Sequence, residues 1–204
     1  MECWWWWGST TDVTVGWYVG LELRGRRFDY WAGLARVGSP YLYVEELDGT
    51  GLREGLEVKP PEMWAGHTCD VPFAQWSLGN EAHGVLLDDL ADALRRPYGE
   101  RVPVTFDVEW YAAGDPVRVD TGVTGADGYA QHGECDVEIE LIEGVLAISG
   151  PSNRLHLWGV PHRPGAAAVL GVGGLSAPYR RGDGTGVEQV LTVDGWSART
   201  VTAA

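Results

Sequence analysis

The stretch His132-Gly-Glu-Cys-Asp-Val-Glu-Ile-Glu-Leu141 alternates without a break, setting His132, Glu134, Asp136, Glu138 and Glu140 against Gly133, Cys135, Val137, Ile139 and Leu141. Successive side chains of an extended strand point to opposite faces, so this period puts an acidic stripe on one face and an apolar stripe on the other. Carboxylates spaced along one strand stand about 6.5 to 7 Å apart and in a line cannot close around one ion. The stripe therefore reads as a solvated outer face that also blocks edge aggregation.

Working outward, the same period recurs along the chain. Thr14 to Leu23 alternates with Val15, Trp17, Val19, Leu21 and Leu23 on one side. Phe28 to Val37, Tyr41 to Leu47 and Phe73 to Leu87 continue in aromatic and β-branched residues. Val104 to Tyr111 sets Val104, Phe106, Val108 and Trp110 against Thr105, Asp107, Glu109 and Tyr111. Val145 to Ser149, Arg154 to Val160, Ala167 to Val172 and Gln189 to Val193 add short strands, with turns at Arg180 to Gly186 and at Asp194-Gly195. Asp88 to Arg96 is the one expected helix, with acids at its start, Leu90 and Leu94 four apart, arginines at its end and Pro97 stopping it. Many strands and little helix predict an all-β, antiparallel barrel or sandwich. The Gly- and Asp-rich run from Gly114 to Gly128 marks a boundary between a first β module, 11–125, and a second, smaller and incomplete one, 126–204, packed on it. The number of modules, one or two, is left open.

The start, Met-Glu-Cys-Trp-Trp-Trp-Trp-Gly, holds four consecutive indoles that cannot all face one core. It has no basic n-region and reads as a disordered leader over residues 1–10, with a membrane-interface or aromatic ligand-stacking role as the alternative. Lys+Arg 15 against Asp+Glu 29 gives a net charge of -14, which repels phosphate backbones and argues against nucleic acid as partner. No run of about 18 apolar residues exists that would form a membrane-spanning helix. Cys3, Cys69 and Cys135 lack metal-ligand spacing and suggest a reducing, cytoplasmic setting.

Candidate chemistry is sparse. The five histidines show no HxxxH or HxH spacing, so no metal site is expected. His67-Thr-Cys69-Asp70 falls in a Pro-flanked loop. Glu81 and His83 share a strand face and either set a tautomer for acid or base work or form an ordinary hydrogen-bonded pair. Asp107 and Glu109 either point into a barrel cavity, where desolvation makes them proton donors, or lie in water while Phe106, Val108 and Trp110 form the core. No Gly-rich nucleotide loop or G-x-S-x-G elbow is present, so no cofactor and no Ser-His-Asp hydrolase are expected.

The densest cluster is Gly150-Pro-Ser-Asn-Arg-Leu-His-Leu-Trp-Gly-Val160. A small-residue turn followed by Arg154, His156, Trp158 and Gly159 resembles the R-D-H-x-W-G motif of proteins built from paired lipocalin-like barrels, the group of AttH-like proteins, carotenoid 1,2-hydratases and fungal Diels-Alderases. Gly16-Trp-Tyr-Val19, Tyr30-Trp31, Met63-Trp-Ala-Gly-His67, Trp76-Ser-Leu-Gly-Asn-Glu-Ala82 and Phe106-Asp-Val-Glu-Trp110 are similar to a bacterial branch of that set. The likeness runs from about Val15 to Val160. It implies a lipocalin-like fold enclosing a small apolar molecule, isoprenoid- or polyketide-like, and a cofactor-independent hydration, isomerisation or cyclisation as the candidate reaction. A noncatalytic binding or scaffold barrel is the alternative. Leu155 stands where the hydratase-like pattern carries the Asp expected to donate a proton. The expected site is then His156, Glu109 and Asp107 for catalysis, with Arg154, Trp158, Trp17, Trp31, Trp76, Trp110 and His83 around the ligand.

Overall fold

A computed structural model describes residues 1–119, 125–159, 175–176, 178–182, 186–192 and 195–201. Ten strands form one antiparallel sheet: β1 (Glu2–Ser9), β2 (Val15–Arg24), β3 (Arg27–Arg36), β4 (Tyr41–Gly49), β5 (Trp64–Val71), β6 (Gln75–Leu87), β7 (Glu100–Ala112), β8 (Val117–Arg118), β9 (Asp127–Leu141) and β10 (Gly144–Trp158). β10 pairs with both β9 and β1, so the sheet closes on itself; the strands β5 and β8 lie off the ring, which leaves eight around it. The result is a closed up-and-down barrel with each ring strand antiparallel to its neighbours. A second sheet contains β11 (Leu175–Ser176), β12 (Tyr179–Arg180), β13 (Gly186–Thr192) and β14 (Gly195–Val201).

The tryptophan run is not a disordered leader but β1, the strand that closes the ring between β2 and β10. Its indoles face two cores rather than one. Trp4 and Trp6 belong to the barrel interior with Trp17, Phe106 and Trp110, whereas Trp5 and Trp7 belong to an outer cluster with Tyr18, Trp31, Tyr43 and Tyr179. β1 to β3 and the first half of β4, Tyr41 to Val44, are mostly covered on both faces, which is why they carry long apolar and aromatic runs. β6, β7 and β9 are covered on one face, and they alternate; the acidic residues from Glu134 to Glu140 are all exposed. Glycines make room for rings between neighbouring strands. A Cβ on Gly20 would meet the Trp5 ring at 2.5 Å, and one on Gly133 would meet the Trp110 ring at the same distance.

Other expectations are corrected by the pairing. The boundary at 125/126 falls inside the closed sheet, because β9 pairs with β7 and β10 with β1; the smaller unit is the sheet from β11 to β14. The turn expected at Gly150 is the middle of one long strand. Pro151 fits there because pairing to β1 begins only at Ser152, so its missing N–H interrupts no bond to β1. The Pro-flanked loop at His67 is β5. The helix expected at 88–96 is a single 3-10 turn, Leu90–Leu94, whose start is capped where the Asp89 carboxylate accepts from the Ala91 N–H at 2.9 Å. With only Ala93 buried, it lacks the apolar face that sustains a short helix. Of the turn expected at Arg180 to Gly186, Arg180 ends β12 and Gly186 begins β13, with Gly182 in a turn between them. Val160, His162, the strand expected at Ala167 to Val172 and Asp194 lie outside the described residues. Among the described residues no helix is long and apolar enough to cross a membrane.

The second sheet is fastened to β2, β3 and β4 by arginines. The Arg181 guanidinium donates to both oxygens of Glu22 at 2.7 and 2.8 Å with both residues buried, and Arg180 binds Glu45 at 2.6 Å. The Trp31 indole N–H donates to the Arg180 carbonyl at 2.8 Å.

Candidate functional site

Register brings the interior residues of three strands to one mouth of the barrel. Trp4 lies opposite His156 and Trp6 opposite Arg154 across β1 and β10, and on the other side of β10 His156 faces Tyr129 and Arg154 faces Gln131. Directly opposed residues of an antiparallel pair share a face. From the facing wall, Trp76 of β6 and Trp110 of β7, themselves paired, complete the group.

Arg154 is the centre of this group. It is 1 % exposed, and its guanidinium carbon lies 4.9 Å from the Trp76 ring centre, 5.3 Å from Trp110 and 5.0 Å from Tyr129. Its Nη2 donates to the Tyr129 hydroxyl, while Nε and Nη1 have no hydrogen-bond partner among the described residues. Burial lowers its pKa from the usual value, but an arginine side chain stays protonated under ordinary conditions. Ring faces stabilise the cation without supplying acceptors for its N–H groups. The indole N–H groups of Trp6, Trp76 and Trp110 are likewise buried without a protein acceptor.

His156 sits one step nearer the rim. Its ring stacks on Trp4 at 4.7 Å between centres, with Tyr129 edge-on at 5.5 Å and Trp158 at 5.0 Å. Nε2 lies 2.9 Å from the Glu2 carboxylate. Burial pulls its pKa below the usual value despite the Glu2 bond, so at neutral pH Nε2–H donates to Glu2 and Nδ1 is the acceptor nitrogen. Glu2 thus places a carboxylate beside His156.

His67 and Gln131 frame the base of the group. The His67 ring stacks on Trp6 at 5.5 Å. Its Nδ1–H donates to the Leu56 carbonyl at 2.8 Å, which leaves Nε2 as an acceptor with no partner among the described residues. Gln131 Nε2 donates to the carbonyls of Phe73 at 2.8 Å and Gly114 at 2.9 Å, holding the turn between β5 and β6 against the start of β9. Phe73 takes φ 60°, rare for a bulky residue, and its exposed ring meets Tyr129 at 5.5 Å. Phe73 and Trp158 make an exposed aromatic rim.

Burial holds His67 neutral, with its pKa lowered to about 4. In the unfolded chain it titrates near 6.5, so between those values the unfolded state binds more protons. Stability should therefore fall as pH drops from about 6.5 to about 4 and should lose nothing to this group above that window, with a total cost of roughly 3 kcal/mol. Urea unfolding at neutral and acid pH should show this loss in the native sequence and a smaller one in His67→Gln, which keeps a donor toward Leu56. Equal losses would assign the acid sensitivity to other groups.

Of the residues expected from sequence, Arg154, His156, Trp158, Trp76 and Trp110 are brought together. Trp17 is inside the barrel between Gly8 and Leu34, and Trp31 is in the outer cluster. Asp107 and Glu109 lie on the outer face, opposite Glu138 and Asp136; Glu109 accepts from Gln75 at 3.3 Å and Ser77 at 3.1 Å. Neither carboxyl enters the barrel. His83 is exposed opposite Pro103. Glu2, Trp4, Trp6, His67, Tyr129 and Gln131 are not among the expected site residues, although a stacking role is the alternative reading of the tryptophan run and His67 is weighed only within its loop. The signal for the first three was the alternation Glu2, Trp4, Trp6 within a strand covered on both faces. For Tyr129 and Gln131 it was the backward continuation of the alternation at Gly133.

These features define a closed antiparallel barrel with a cationic, aromatic-walled interior site at one mouth. Comparison with protein-family models, curated proteins and solved structures returned no match.

Proposed function

We propose that the barrel binds a small, largely apolar molecule at the mouth walled by Trp4, Trp76, Trp110 and Tyr129, with a polar end of that molecule beside Arg154. The observation that carries this reading is Arg154 itself, buried against three rings with two of its nitrogens unmatched by protein acceptors. Ligand sites combine mostly apolar and aromatic walls with a few convergent polar groups, and a barrel of about eight strands has an interior that either fills with side chains or holds one small ligand. The exposed rings of Phe73 and Trp158 offer an apolar approach.

Binding without conversion is the better supported form of this proposal. Cofactor-independent hydration, isomerisation or cyclisation is the second form, favoured by the bond between His156 and Glu2, which could relay a proton at the rim. Asp107 and Glu109 have no part in it. Native mass spectrometry of the protein purified from its expressing cells should detect an adduct with one small molecule, released on denaturation and apolar by reversed-phase retention. A protein that is ligand-free as isolated, and whose tryptophan fluorescence is unchanged by any member of an apolar compound panel, would overturn the reading.

A further inference from the structure

Building on the ligand-binding reading, we infer that the polar end of the ligand is a single negative charge, so that the barrel selects an apolar monocarboxylic acid seated on Arg154. A guanidinium that loses its hydration normally regains hydrogen bonds from a carboxylate or comparable acceptor, because leaving charged donors unmatched is costly. Here Nε and Nη1 lack acceptors among the described residues, which give the cation ring faces and one hydroxyl. The indole N–H groups of Trp76 and Trp110, on two of the three rings against the guanidinium, are also unmatched donors among the described residues. The site thus has an excess of donors and one positive charge. A carboxylate that takes one of these unmatched N–H groups together with the second N–H of Nη2 makes the bidentate contact that planar guanidinium favours.

The charge balance narrows the class further. Arg154 is the one cationic side chain in the group, His156 is held neutral, and Glu2 places a carboxylate at the rim. The chain carries a net charge of -14, so a dianionic head such as a phosphate monoester would face repulsion with one arginine to offset it. A monoanion is matched. A neutral alcohol would leave the cation without a countercharge.

The test titrates the full chain with octanoate, dodecanoate and hexadecanoate, each against its matched primary alcohol and alkyl phosphate, by quenching of tryptophan fluorescence. At least one carboxylate should bind about tenfold or more tightly than its alcohol and its phosphate, since hydrogen bonds to charged groups are the strong ones. In Arg154→Met, checked for folding by near-UV circular dichroism, the preference over the alcohol should collapse, and Arg154→Lys should keep part of it. Equal binding of acid and alcohol by the native sequence overturns the inference while the apolar-ligand reading stands, and this arm needs no variant. Tighter binding of the phosphate overturns the choice of a monoanion. A preference that survives in Arg154→Met moves the anion off Arg154. Binding of none of these probes overturns the inference, and with an empty native mass spectrum the broader reading falls too.

Discussion

Replacing Trp6 with alanine should destabilise the barrel by about 3–5 kcal/mol, the usual cost of removing a buried tryptophan. The indole is fully buried, meets Trp76 at 5.3 Å and His67 at 5.5 Å, and stands on the strand that closes the ring. Its loss leaves a void that rigid neighbouring strands cannot fill, and weakens β1 where it bridges β2 and β10. Domains of ordinary stability have about 5–15 kcal/mol in total, so a large share of it would go. Urea unfolding followed by circular dichroism would read this as a fall in midpoint, with Trp158→Ala, which removes a partly exposed rim residue, costing much less. A midpoint shift no larger than that of Trp158→Ala would show that the amino-terminal strand contributes little to the barrel.

Glu22→Ala should cost a similar 3–5 kcal/mol, because it withdraws the carboxylate from the buried Arg181 guanidinium. Both oxygens of Glu22 accept from Arg181, and both residues are almost wholly shielded from water. Burial raises the Glu22 pKa, with Arg181 opposing that rise. The desolvation of the two charges offsets much of their attraction, so the pair contributes little net stability. Joint replacement, Glu22→Leu with Arg181→Met, should then restore most of what Glu22→Ala loses. Urea unfolding of the single and double variants measures this directly. If Glu22→Ala were neutral, the second sheet would not depend on this contact for its seat on β2.

Strand identity was legible wherever one face is wet. β7 and β9 alternate because their outer residues meet water, and the acidic stripe declares itself for the same reason. Where both faces are covered the signal weakens: β2 to β4 are still legible from their β-branched and aromatic residues, but β1, a bare run of indoles, is not. β10 was misread through Pro151, a turn signal that becomes compatible with a strand only where pairing to a neighbour stops.

The site was half legible. Arg154, His156 and Trp158 stood out as neighbours in sequence, and period two already placed them on one face. Asp107 and Glu109 shared a strand with Trp110 but belong to its opposite face, and the choice of inner face depends on which side the rest of the sheet encloses. Glu2 is far from His156 along the chain, and no local pattern announces a contact made by ring closure.

The residues alone thus determined that the chain is an antiparallel β protein, which faces of its alternating strands are apolar, and which side chains share a face within each strand. Period and side-chain polarity are local properties. The tertiary structure decided which strand closes the barrel, that Glu2 reaches His156, and that Arg154 is buried among rings without a carboxylate. Those outcomes depend on register between strands distant in sequence and on which surface the second sheet covers.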